Sequence, residues 1–300
     1  MKKYRVHIVF DVLGWAHHKR AIALKKYCPE DVEISIAPLE TPCPTGCDLW
    51  FVLDYRALER ARKQKGLTQD PVMILGSYNR GDFVGNGRTW LDVVRNNSDR
   101  FAVTNKEIYK QVLSLTNKVS LLYTGVDTDI FKVTRPTQQR DFKILWTGSA
   151  HHRKIKRYDS LVVPVAAELD KEGIKHDFCL VDSLKPPRNT PQMADWYNTG
   201  TVYLMLSETE GVANTGVEAS ACGCFLVTTR AGSMTSLIEE GANGFFVEPT
   251  VQSVLSAIKK ARDVYIKKEK QIADHIKDWS WETRSKDFYS LFRKMVDKEI

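Results

Sequence analysis

Glu210 and Glu218 stand eight positions apart, with Gly211 and Gly216 between them, in the run Ser-Glu-Thr-Glu-Gly-Val-Ala-Asn-Thr-Gly-Val-Glu-Ala-Ser that begins at Ser207. Apolar β-formers flank the run, residues 202–206 before it and 225–229 after it. That pattern reads as strand, loop, helix and strand, and it implies a parallel sheet. Such a unit sets Glu210 on the loop after a strand and Glu218 about one turn into the helix. Both carboxylates then face the crevice at the carboxyl ends of the strands, where open α/β sheets hold their ligands. The backbone N–H groups of Asn214, Thr215, Gly216 and Val217 open the helix and offer a seat for a diphosphate. Each glutamate alone has a plainer reading. Thr215-x-x-Glu218 also spells a capping box, and Glu210 could be a solvated loop residue.

Residues 146–157, Trp-Thr-Gly-Ser-Ala-His-His-Arg-Lys-Ile-Lys-Arg, form a second segment with chemistry in it. A strand ends at Gly148, and a polar loop then delivers Arg153, Lys154, Lys156 and Arg157. Cations placed just past a strand end suit a diphosphate, and the guanidinium fork of Arg153 fits phosphate oxygens. A solvated basic helix face is the alternative. Near the start, Gly14-Trp15-Ala-His17-His18-Lys-Arg occupies the first strand-to-helix loop, and Trp15 offers a face for a sugar or a base. His17-His18 and His151-His152 are adjacent pairs and lack the i, i+4 spacing of a helical zinc site, so no metal ligation is expected of them. Asp127-Thr-Asp129 has the form of a short metal motif, but it reads here as a turn.

The elements that must position these residues alternate from end to end. Residues 6–10, 32–36, 49–53, 72–75, 101–104 and 119–123 read as strands, and residues 16–27 as an amphipathic helix stopped by Pro29. Residues 56–64 read as a basic helix. A second alternation starts with the strand 142–146. The succession predicts doubly wound parallel sheets.

At 300 residues the chain has the length of about two domains. Its hydrophobic share of 43% and charged share of 27% are those of a soluble globular protein. No apolar run approaches the roughly 18 residues that cross a bilayer. The first residues read as a strand, not as a signal peptide. Six cysteines show no disulfide framework or zinc spacing and are expected to be reduced thiols of a cytoplasmic protein. The net charge of +7 is spread evenly over both halves. It favours anionic partners, a nucleotide diphosphate or the inner face of an anionic membrane, over a dedicated nucleic-acid role.

The Glu210-x7-Glu218 run resembles the signature of glycosyltransferase family 4, the retaining nucleotide-sugar transferases of GT-B fold. Glu-Ala-Ser-Ala-Cys-Gly at 218–223 resembles that family's Glu-Ala-x-Ala-x-Gly, and residues 238–247 resemble the strand-turn-strand that follows it. Residues 124–131, Thr-Gly-Val-Asp-Thr-Asp-Ile-Phe, resemble the family's interdomain linker, with Thr124 in place of the usual Asn. Gly232-Ser233 replaces the usual Gly-Gly, Ser236 a frequent Glu, and Ser149 an Arg.

The resemblance implies two doubly wound Rossmann-like domains facing a central cleft. Residues 1–130 would be an abbreviated acceptor-side domain and 131–279 the nucleotide-sugar domain, with a final helix in 280–300 packing back on the first. It implies a retaining hexosyl- or pentosyltransferase acting from a nucleoside diphosphate sugar on a hydroxyl acceptor, a saccharide or lipid-linked saccharide, with no cofactor and no metal. Glu210, Arg153 and Lys154 would be catalytic, Lys154 at the family's lysine position and Arg153 supplying the missing guanidinium. Gly148, Ser149, Gly211, Val212, Ala213, Asn214, Thr215, Gly216 and Glu218 would bind the donor, Glu218 at its ribose and Glu210 at its sugar. Gly14, Trp15, His17, His18 and Asp82 would line the acceptor side. Alternatives are transfer to modified bases in DNA, a sugar-nucleotide epimerase or hydrolase, and a non-catalytic nucleotide-sugar-binding module.

Overall fold

The computed structural model describes residues 2–39, 41, 46–54, 72–76, 98–182 and 188–300. It divides into two units, Met1–Gly125 together with Trp281–Ile300, and Val126–Ser280. The expected basic helix at 56–64 and the segment around Asp82 lie outside the described residues.

The first unit contains strands β1 (Tyr4–Phe10), β2 (Val32–Pro38), β3 (Leu49–Val52), β4 (Val72–Gly76), β5 (Arg100–Val103) and β6 (Val119–Leu121). All pair in parallel, in the order β2-β1-β3-β4-β5-β6. Helix α1 (Ala16–Lys26) follows β1; Lys25 and Lys26 in its last turn complement the helix dipole. Helix α2 (Lys106–Leu113) is capped by Asn105, whose side chain accepts the Ile108 N–H. Strand β3 is buried at every position, as a strand covered on both faces must be, and β1 beside it is apolar over Ile8–Phe10 but also buries His7.

In the second unit β7 (Ile144–Ser149), β8 (His176–Val181), β9 (Val202–Met205), β10 (Phe225–Thr228) and β11 (Gly244–Phe246) are again all parallel, in the order β11-β10-β9-β7-β8. Helices α3 (Val163–Lys171), α4 (Thr190–Tyr197), α5 (Asn214–Ala221), α6 (Met234–Leu237) and α7 (Val251–Lys277) connect or cover them. Ile144, Trp146, Val202, Leu204, Phe225 and Val227 of the sheet pack with Val165, Leu169, Val254 and Ile258 of the helices. Val126 donates its N–H to Trp279 O at 2.8 Å, so this unit begins and ends side by side. The last helix, α8 (Trp281–Val296), belongs to the first unit. Its Phe292 ring lies 5.2 Å from that of Phe51, and Arg293 forks onto Asp31 at 2.7 Å through both nitrogens.

Counted in chain order within each unit, the two sheets share one arrangement, 2-1-3-4-5 with a sixth strand added to the first. The order reverses between β1 and β3 in one unit and between β7 and β9 in the other. Those reversals are the topological switch points, where loops leave in opposite directions and open a crevice.

One local expectation is corrected. Residues 238–247 are not a strand-turn-strand; they hold the single strand β11. The Asn243 amide occupies the turn instead. Its carbonyl accepts the Glu239 N–H at 2.9 Å and its NH₂ donates to Leu237 O at 2.9 Å, so backbone groups that would pair in a strand are taken by a side chain.

Candidate functional site

At the β7/β9 switch point two loops are stitched together. Glu208, beyond β9, donates its N–H to Ile155 O at 2.8 Å, and Arg157 donates through Nη1 to Leu206 O at 3.3 Å. Between these, Lys156 Nζ hydrogen-bonds Glu210 Oε1, in an ion pair whose side chains are each only 16% exposed. A mostly desolvated pair of this kind is held far more firmly than a surface pair. Two glycines make the approach possible. A Cβ on Gly148 would sit 2.6 Å from the Trp146 ring and 3.4 Å from Lys156 Cγ. A Cβ on Gly232 would meet Glu210 O at 2.6 Å, and Gly232 has φ +57° as well.

Arg153 and Lys154, the cations favoured on sequence, take other positions. Arg153 forks onto Asp159, with Nε 2.5 Å from Oδ2, and lies 4.9 Å over the Tyr158 ring. Asp159 raises the affinity of that guanidinium for its proton, chiefly through the hydrogen bond. Lys154 is exposed. Just after the basic run Arg157 adopts φ +50°, and Tyr158–Val162 winds as a π-helical turn. Ser149 ends β7 itself.

Helix α5 begins at Asn214, with Ala213 as its N-cap and no side chain capping it. Thr215 is therefore inside the helix, and no capping box joins it to Glu218. Glu218 accepts a hydrogen bond from the Tyr197 hydroxyl at 3.1 Å instead. Complete burial, reinforced by the Glu218 charge, pushes the Tyr197 phenol well above its ordinary range, so it stays a donor. Gly211, Val212, Ala213 and Gly216 are buried, and a Cβ on Gly216 would come within 3.0 Å of Met234 Sδ. Asn214 is exposed at the helix start. Lys156, Tyr197 and the Gly232–Glu210 packing were beyond sequence reasoning; the only signal for Lys156 was its place in the basic run.

In the first unit Gly14 has φ +81° and donates its N–H to His18 Nδ1 at 2.9 Å. His18 also packs on Phe10 with ring centres 4.5 Å apart, which makes it the clasp of the β1–α1 loop. Trp15, the N-cap of α1, is 43% exposed. His17 turns the other way, its Nδ1 3.2 Å from Asp11 Oδ1. Burial by itself would raise the Asp11 carboxyl, but the His17 ring and the Val12 N–H hold it down at about 2.

Residues 123–263 match the family model of the glycosyl transferases group 1. This segment resembles the group 1 glycosyl transferases. A D-inositol 3-phosphate glycosyltransferase of Kribbella flavida is 22% identical over 178 residues, covering 54% of this chain and 42% of that protein. One from Arthrobacter sp. (strain FB24) is 36% identical over 63 residues, 21% of this chain and 15% of its own length. The chain thus spans less than half the length of the curated relatives it matches. Among solved structures, sucrose-phosphate synthase from Thermosynechococcus elongatus superposes with a TM-score of 0.76 at 12% identity, over 99% of this chain and 100% of that one. HepE from Anabaena, in complex with UDP and glucose, superposes with a TM-score of 0.70 at 12% identity, over 97% and 100%. Together these establish the GT-B fold.

Proposed function

We propose that this chain transfers a sugar from a nucleoside diphosphate sugar to a hydroxyl acceptor, with retention of configuration, and that the segment resembling the group 1 transferases holds the donor. The observation that carries this reading is the Lys156–Glu210 pair at the β7/β9 switch point, on loops adjoining a helix start that no side chain caps. A departing diphosphate needs positive charge and aligned N–H groups fixed in advance. Lys156 and the N–H groups at Asn214 and Thr215 supply both, and Lys154 adds charge from solvent. Lys156 thereby takes the part that the family resemblance implied for Lys154 and Arg153. Glu218, oriented by Tyr197, accepts the ribose hydroxyls, and Glu210 accepts a hydroxyl of the donor sugar. Retention follows if the acceptor attacks on the face the diphosphate leaves, the leaving phosphate oxygen taking the acceptor's proton.

The acceptor in this reading is a polyol, a saccharide or lipid-linked saccharide. The inositol phosphate relatives support a polyhydroxylated acceptor, and the UDP-bound neighbours support a uridine donor. The test is incubation with a panel of nucleotide sugars, with and without acceptors, following free nucleoside diphosphate and the anomer of the product by NMR. Acceptor-dependent diphosphate release with a product of the donor's anomeric configuration is expected. Free sugar released at the same rate without acceptor would show a hydrolase, and binding without turnover would show a non-catalytic module.

A further inference from the structure

The switch point of the second unit carries a cation–carboxylate pair; the matching β1/β3 switch point of the first unit carries two carboxylates and an imidazole. Asp11 follows β1, Asp54 follows β3, and His17 is in the first turn of α1. One ligand atom from each lies within 4.8 Å of the other two. Asp54 is 5% exposed, and the side chains of His17 and Asp11 are 15% and 23% exposed. Asp11 Oδ1 is sealed from solvent, with His17 Nδ1 3.2 Å away. Two carboxylates brought this close and largely out of water favour a bound cation between them.

We propose that Asp11, His17 and Asp54 form a binding site for a divalent first-row transition cation, which nothing in the donor chemistry requires. Mixed carboxylate and imidazole donors suit Mn²⁺ or Zn²⁺, whereas a Mg²⁺ site would be built of oxygens alone. Ligand atoms about 2.1 Å from such an ion stand about 3 Å apart when adjacent, close to the Asp11–His17 separation. The two carboxylates bring negative charge to such an ion, and the imidazole brings a ring nitrogen. With these three ligands, the ones found among the described residues, the ion would keep coordination positions for an oxygen of a polyol or phosphate. Sequence spacing missed the site because its ligands come from three separate elements and only His17 belongs to a His pair.

The test uses the full chain, stripped with EDTA, dialysed and titrated with MnCl₂, free Mn²⁺ being read by electron paramagnetic resonance. One equivalent is expected to bind. Asp54→Asn and His17→Gln, both close in size to the originals and checked for folding by circular dichroism, should each weaken binding about tenfold or more. Asp127→Asn, in the Asp-x-Asp turn, should leave it unchanged; there the Asp127 carboxylate already accepts the Asp129 N–H at 3.1 Å. Equal affinity in all variants, or no stoichiometric binding to the wild type, overturns the proposal. Because the readout is binding, its failure is independent of whether the chain transfers sugar.

Discussion

Lys156 can hold Glu210 with one ammonium hydrogen and still present two to a phosphate oxygen. Arg153 spends its fork on Asp159. Lys156→Ala should therefore lower kcat by about a hundredfold, the usual loss on removing one donor to developing charge. Arg153→Ala should lower it by less than about tenfold. Steady-state kinetics on the two variants ranks them, and the reverse order would return the role to Arg153. Glu218 has a different task. Glu218→Ala should weaken UDP binding about tenfold in calorimetry, while Glu210→Ala should chiefly reduce turnover. Tyr197→Phe removes the hydroxyl that orients Glu218, so KM for the donor should rise with kcat nearly unchanged. A fall in kcat alone would mean that the tyrosine acts elsewhere.

At the level of elements, Gly232 shows how a loop sets a side chain it never touches through chemistry. Its positive φ and its contact with the Glu210 backbone leave no room for a methyl group. Gly232→Ala should cost about 1–3 kcal/mol in urea unfolding and lower kcat by displacing Glu210. The glycine itself is visible in the sequence, but its partner is not. The same division runs through the fold. Residues 202–206 and 225–229 read correctly as strands because a parallel sheet covered on both faces demands unbroken apolar runs, and β9 and β10 are buried throughout. The register of the basic loop was not legible. Arg157 takes a left-handed conformation with no glycine to announce it, and the π-turn after it carries no pattern of its own. Residues 238–247 misled for a related reason, since one asparagine side chain replaced a strand's pairing.

Across the whole molecule, helix α8 is the last piece of the first unit's core, although the chain reaches it only after completing the second. Phe288 and Phe292 are fully buried, and both rings meet Phe51. Phe292→Ala should destabilise the first unit by about 3–5 kcal/mol, measured as its own unfolding transition, and should leave the transition of the second unit in place. A single shared loss would show that the units melt as one. The pairing of Val126 with Trp279 and Ser280 has a further consequence. A module whose two ends lie on neighbouring backbones can be cut out and its ends joined by a short peptide at little entropic cost. Residues 126–280 therefore form a natural cassette. Closed head to tail, they should fold and bind nucleotide alone, and exchanging them for the corresponding segment of another such chain should change the donor while the rest of the molecule stays as it is.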